Sequence, residues 1–344
     1  MELFKIFVSV IAVITSTGAL FQIVKIFKRK SAKDLSILIP ARSEEFLSRT
    51  IEDIVSNIEA DTEIIAVLDG EWTNPPIAQH PRVNVIYLPE SIGQRAATNL
   101  ACKLSEAKYV MKVDAHCSFD KGFDRKLIED MQDDWTVVPT MRNLHAFDWV
   151  CECGFTHYQD KGSICPTCGK EMTKKMIWEP RRGTRNYSYC FDTEPHFQYF
   201  RAFSERPEGK GDLTETMSLQ GSAFMLTREK YWSLNICDEA FGSWGSQGIE
   251  VAVKTWLSGG KVMVNHKTWY AHMFRTKANN GFGFPYPQSG KQVDSAKKMA
   301  RDLFFGNKWD KAVRPLSWLI ERFMPISGWT EQDLKNLKEA EKVK

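Results

Sequence analysis

The apolar run Tyr109-Val110-Met111-Lys112-Val113 reads as a buried strand, and it ends on Asp114-Ala115-His116. Such a strand would deliver a carboxylate and an imidazole, two residues apart, to the edge of a sheet. Two ligands from one rigid strand end can hold a divalent cation and leave coordination sites open. The C-terminal edge of an α/β sheet is also where such folds bind nucleotides. The chemistry these residue types suit is therefore a metal gripping a diphosphate. Asp-x-His recurs in many loops, so the weight falls on what surrounds it.

A second constellation is Cys151-Glu152-Cys153-Gly154 with Cys165-Pro166-Thr167-Cys168-Gly169. Two close cysteine pairs, each followed by glycine and about a dozen residues apart, make the two knuckles of a zinc ribbon with four thiolates around Zn²⁺. The alternatives are two disulfides or free thiols. Cys102, Cys117, Cys190 and Cys237 are scattered singly, as reduced and buried thiols would be, which disfavours the disulfides. The inserted ribbon is expected over residues 147–176. Its flanks carry Trp149, Trp178, Arg181, Arg182 and Arg185, which suits a lid, an acceptor-docking module or a nucleic-acid contact.

The elements that must position these groups alternate along the chain. Leu35 to Pro40 reads as a buried strand, and Glu45 to Ile58 repeats apolar residues at helical spacing. Strands follow at Glu63 to Leu68, ended by Asp69-Gly70, and at Val83 to Leu88; a helix is expected from Gln94 to Ser105. Thr136 to Pro139 looks like another short strand, and apolar character resumes at Ser218 to Leu226. A helix over Ile249 to Leu257 and a strand over Lys261 to His266 complete the pattern. This is an α/β chain with a mostly parallel sheet covered on both faces. A Gly, Pro and Asn-rich loop and a charged helical tail occupy 276–344.

With 344 residues, a net charge of +3, 43% hydrophobic and 26% charged residues, the chain can build one large domain or two. A duplex-binding protein would show a concentrated basic stripe, so the charge balance gives little support to DNA binding. Residues 4–27 are almost wholly apolar and long enough for a transmembrane helix. A cleaved signal peptide and a surface helix are the competing readings. Here Lys25, Lys28, Arg29, Lys30 and Lys33 follow the apolar core, which favours a retained single-pass anchor with the catalytic part in the cytoplasm.

Taken in order, these segments resemble a GT-A glycosyltransferase, with family 2 features in the first half and those of the polypeptide N-acetylgalactosaminyltransferases in the second. The resemblance spans residues 34–275 and implies a Rossmann-like mixed sheet with helices on both faces. Ser36 to Glu44, including Pro40, Arg42 and Glu44, is similar to the family's first strand and turn. Asp69 stands where the family reads the uracil base, and Gly93-Gln94-Arg95-Ala96-Ala97-Thr98-Asn99 is similar to the helix that approaches the diphosphate. Phe241 to Glu250, with Trp244, resembles the Trp-Gly-Gly-Glu-Asn-x-Glu segment, and Ala271-His272-Met273-Phe274-Arg275 resembles Gly-His-Val-Phe-Arg. The resemblance implies that His272 completes a metal site with Asp114 and His116. Mixed oxygen and nitrogen ligands favour Mn²⁺ over Mg²⁺ there.

One departure bears on catalysis. Gln247 replaces the first Glu of that segment, and an amide cannot serve as general base. Glu250 matches the second Glu and is the nearest carboxylate, either as base or as a structural residue, so the stereochemical outcome stays open. The expected function is metal-dependent transfer of a sugar from a nucleotide-diphosphate donor, UDP-linked by resemblance, to a glycan, lipid, protein or modified nucleic-acid acceptor at a membrane face. The competing function is a zinc-ribbon binding protein on a degenerate transferase fold. A third keeps the enzyme and makes a modified DNA base the acceptor.

Overall fold

The computed structural model describes residues 33–275, 282–283 and 290–342. The apolar segment 4–27, expected as an anchor, lies outside the described residues. Among those described, no helix is long and apolar enough to cross a membrane.

The described residues from Asp34 onward form one compact unit around a twisted sheet. Its first half contains β1 (Leu35–Ala41), β2 (Thr62–Asp69), β3 (Val83–Leu88) and β4 (Tyr109–Val113), and its second adds β5 (Cys117–Phe119), β6 (Trp135–Val150), β7 (Thr156–Tyr158) and β8 (Thr173–Pro180). The hairpin β9 (Tyr189–Phe191) and β10 (Phe197–Tyr199) stands apart, and β11 (Leu213–Glu215), β12 (Ala223–Thr227) and β13 (Lys261–His272) complete the set. The main path runs β11-β13-β6-β12-β4-β1-β2-β3. β1 pairs in parallel with β2 on one side and β4 on the other, whereas β12 is antiparallel to both β4 and β6. The carboxyl ends of β1, β2 and β4 therefore share one edge of the sheet, at which a cavity opens.

Helices cover both faces. On one, α1 (Leu47–Asn57) buries Leu47, Ile51 and Ile54 with Phe123 and Leu127 of α3 (Phe123–Glu129). On the other, α2 (Gln94–Leu104) buries Ala97, Ala101 and Cys102 beside Val251 and Trp256 of α4 (Gln247–Leu257). β1 feeds both cores by alternation: Leu38 faces the second, and Ile37 and Ile39 face the first. The tail joins the second core. Phe304, Trp309, Ile320 of α6 (Leu316–Phe323) and Trp329 pack there, and the Trp329 indole donates to the Phe191 carbonyl at 2.8 Å. Earlier in the tail, α5 (Gly290–Ala300) buries Ala296 and Ala300.

Two strands run further than their apolar stretches predict. β6 continues past Pro139 for a total of 16 residues, leaving the central sheet to carry β7 and β8, so the cysteine segment hangs on a strand extension. β13 passes through an irregularity between Asn265 and Trp269 and continues to His272. There it pairs with β5, His272 opposite Cys117.

Candidate metal and nucleotide site

β13 brings His272 back beside the residues that follow β4. Asp114 is fixed by its backbone N–H to the Ser222 carbonyl at 2.8 Å, and the His116 carbonyl accepts from Met273 N–H at 3.1 Å. Asp114, His116 and His272 offer ligand atoms that all lie within 4.8 Å of one another. His272 Nε2 is 3.2 Å and His116 Nε2 3.9 Å from Asp114 Oδ2. The other nitrogen of His116, Nδ1, lies 3.2 Å from Glu44 Oε2, and Glu44 is in turn gripped by Arg275. A carboxylate behind an imidazole is how metal-ligating histidines are oriented. Nδ1 of His272 is buried with no hydrogen-bond partner among the described residues.

The ligand atoms are held in metal-binding form. Burial pushes His272 down to about 4, which leaves its ring neutral with a lone pair to donate. Burial alone would raise Asp114, but Lys112, His272 and His116 together hold its carboxyl well below the usual range. Glu44 behaves alike: desolvation is outweighed by His116 and Arg275. One carboxylate and two imidazoles in this arrangement fit Mn²⁺ or a similar divalent ion.

These residues line a cavity of about 610 Å³ at the β1/β4 crevice. Pro40, Arg42 and Glu44 reach it from the end of β1, Asp69 from the end of β2, and Arg275 from beyond β13. The N termini of α2 and α4 also open onto it, at Gly93-Gln94 and Ser246-Gln247. Neither Gly93 nor Ser246 caps its helix with a side chain, and the first N–H groups of a helix have no partner within it. Helix N termini of this kind favour phosphate. Gly93 takes φ of 91°, a backbone that glycine adopts without strain, and a Cβ there would lie 2.9 Å from that of Ser243.

The structure redistributes several expected roles. Glu250 does not reach the cavity wall: its side chain is 0% exposed, paired with Arg95 and with Lys254 at 3.0 Å, and it accepts from Asp238 N–H at 2.9 Å. A carboxylate so held lies behind the cavity wall, which favours the structural one of its two expected roles. Arg95, expected at the diphosphate, is spent on Glu250 and the Gly245 carbonyl. Asn99, expected likewise, binds Cys237, Glu239 and Tyr231 instead. Gln247 does line the cavity, where its Oε1 accepts from Gln94 at 3.1 Å. Trp244 lines it too, 36% exposed. Asp69 accepts from Ser91 and Gly93 on one oxygen and from Ile92 on the other, so it both shapes the turn into α2 and keeps acceptor capacity.

Sequence reasoning missed two groups. Lys112 lines the cavity and touches Asp114; a lysine inside an otherwise apolar strand was the available signal. His196, in the β9-β10 turn, also lines it, with Nδ1 3.1 Å from Asp192 Oδ2. No local pattern marks that pair.

The four cysteines converge as expected. Cys151 and Cys168 Sγ lie 3.4 Å apart and Cys153 and Cys165 Sγ 3.7 Å, with no disulfide. Four thiolates about 2.3 Å from one Zn²⁺ stand about 3.8 Å apart at the corners of a tetrahedron, close to this spacing. Gly154 and Gly169 take φ of 87° and 69° at the two knuckles.

An α/β sheet with helices on both faces, whose cavity is lined by an Asp-His-His cluster and by two helix N termini, suits a nucleotide held through a metal. Residues 36–148 match the family model Glycosyl transferase family 2. Human polypeptide N-acetylgalactosaminyltransferase 14 is 20% identical over 279 residues, covering 77% of this chain and 45% of the relative. Polypeptide N-acetylgalactosaminyltransferase 8 of Drosophila melanogaster is 23% identical over 327 residues, covering 88% and 48%. The chain thus spans about half the length of the curated relatives it matches. The crystal structure of GalNAc-T7 with UDP, GalNAc and Mn²⁺ superposes with a TM-score of 0.56 at 14% identity, over 90% of this chain and 54% of that one. The fold is GT-A.

Proposed function

We propose that this chain is a metal-dependent transferase that moves a sugar from a UDP-linked donor to an acceptor hydroxyl. The observation that carries it is the convergence of Asp114, His116 and His272 within 4.8 Å at the sheet's crevice. When bound, a divalent cation there offsets the charge that develops on the departing diphosphate. The N termini of α2 and α4 receive the phosphates, Arg42, Trp244 and Pro40 flank them, and Asp69 offers an oxygen lone pair to the base. Glu44 and Arg275 keep His116 oriented. On the acceptor side, His196 accepts the hydroxyl's proton at Nε2 while Asp192 holds the opposite nitrogen. The four cysteines hold a structural Zn²⁺, and residues 4–27 anchor the chain in a membrane with the catalytic unit in the cytoplasm.

The relative solved with UDP, GalNAc and Mn²⁺ makes UDP-GalNAc the first donor to try. Purified protein stripped with EDTA should neither hydrolyse nor transfer from it, and added Mn²⁺ should restore activity in the wild type but not in Asp114→Ala or His272→Ala. Full activity in excess EDTA, or in either variant, sinks the proposal.

A further inference from the structure

Lys112 is a buried cation at the metal site that the donor chemistry above leaves without a role. It is the penultimate residue of β4, in register with Leu38 of β1 and Phe224 of β12, with a side chain 1% exposed. An ammonium so placed is costly unless its charge is matched. Its Nζ contacts Asp114 Oδ1 and donates to the Gly221 carbonyl at 2.8 Å. An ammonium carries three protons, so two are engaged and one is left for a ligand in the cavity that Lys112 lines.

The charge balance follows directly. Among the three metal-ligand candidates, Asp114 is the only carboxylate and brings the only formal negative charge. Lys112 cancels that charge. Behind His116, Glu44 is in turn cancelled by Arg275. A dication approaching the empty donor pocket thus meets a ligand set with no net attraction, and a lysine close enough to repel it. A nucleoside diphosphate supplies the missing negative charge from the open side of the site.

We propose that Lys112 makes metal binding conditional on the donor: the divalent cation and the nucleoside diphosphate enter as mutually dependent ligands. The lysine suppresses binding of the metal alone and gives its remaining proton to a phosphate oxygen once both are present. By linkage, the factor by which the diphosphate tightens the metal equals the factor by which the metal tightens the diphosphate. This inference rests on the metal and donor sites proposed above.

The test measures binding and does not depend on turnover. Mn²⁺ is titrated into the full-length protein, with free Mn²⁺ read by its paramagnetic resonance signal, in the absence and presence of saturating UDP. The wild type should bind Mn²⁺ at least about tenfold more tightly with UDP, within the ordinary range of coupling between sites. Lys112→Met should bind Mn²⁺ alone about tenfold more tightly than the wild type, by removal of the nearby positive charge, and its coupling to UDP should fall towards one. Lys112→Arg, which keeps the charge, should keep the coupling. If Lys112→Met fails to fold, Lys112→Gln serves as the neutral variant. Wild-type Mn²⁺ affinity indifferent to UDP, or undiminished coupling in the neutral variant, overturns the role of Lys112. Failure of the wild type to bind Mn²⁺ under either condition overturns the metal site itself.

Discussion

Arg95 and Glu250 form an ion pair whose side chains are 1% and 0% exposed, and it ties the first turn of α2 to the first turn of α4. Arg95 also donates to the Gly245 carbonyl at 2.7 Å, just ahead of α4, and stacks 5.1 Å over the Phe241 ring. The pair therefore sets the spacing between the two helix N termini that face the cavity. Glu250 matters to catalysis through shape, as a positioning residue.

Glu250→Gln should accordingly act on stability and donor binding together. Removing one partner of a buried pair leaves an uncompensated charge, here on Arg95, since Lys254 keeps Asp238 at 3.4 Å, and costs about 3 kcal/mol or more. Urea unfolding should show that loss, and UDP affinity should weaken as the cradle loosens. Unchanged stability with a selectively lowered turnover would instead restore Glu250 as a base.

How much of this was legible beforehand depends on the distance over which each signal acts. The Asp114-His116 turn was readable because a five-residue apolar strand announces where it ends. Glu250 is only half legible: Lys254 four residues on is a local signal, but Arg95 lies 155 residues away and no local pattern records that long-range ion pair. β6 was cut short at Pro139 because beyond it Arg142, Asn143, His145 and Asp148 break the apolar run, although the backbone continues as strand. The tail reads as charged because its aromatic residues are widely spaced, yet Phe304, Trp309 and Trp329 fill the same core as α2 and α4.

His196 should separate turnover from donor binding. Asp192 is fixed by the backbone N–H groups of Glu194 and His196 and by the Gln198 amide, so it can hold the imidazole through Nδ1. Among the described residues that line the cavity, the carboxylates Glu44, Asp69 and Asp114 are each engaged. His196→Gln should therefore slow turnover of UDP-GalNAc about 10²-fold, the usual scale for general-base loss, with UDP affinity in Mn²⁺ unchanged. A loss confined to UDP affinity would make His196 a donor-binding residue.

His272 should leave a mark on the pH dependence of stability. Its ring is neutral in the fold, with a value near 4 against the ordinary 6.5. The unfolded chain therefore binds the extra proton first as pH falls, and stability drops between pH 6.5 and about 4. Above that window His272 contributes no slope. In metal-free protein, His272→Gln should flatten the curve by up to one proton across that window, measured by urea unfolding at a series of pH values. Parallel curves for the two proteins would mean that the ring is not held neutral.

The cysteine cluster makes the last prediction. Its four Sγ atoms lie within 4.8 Å of one another at the far end of β6, while Phe147, Trp149 and Trp178 pack with Phe46 beside it. Four thiolates prefer the softer ion, so metal analysis should find about one tightly held Zn²⁺ per chain, distinct from exchangeable Mn²⁺. Cys165 is buried, and its N–H and carbonyl anchor Lys170 and Gly169 in the knuckle. Cys165→Ser should therefore lose the zinc and loosen the segment from Val150 to Thr173, seen as faster amide exchange confined to those residues. The central sheet has its own two cores, so UDP and Mn²⁺ binding should persist in the variant. Protein free of zinc, or equal loss of zinc and UDP binding, would show that the cluster is not an independently folding metal module.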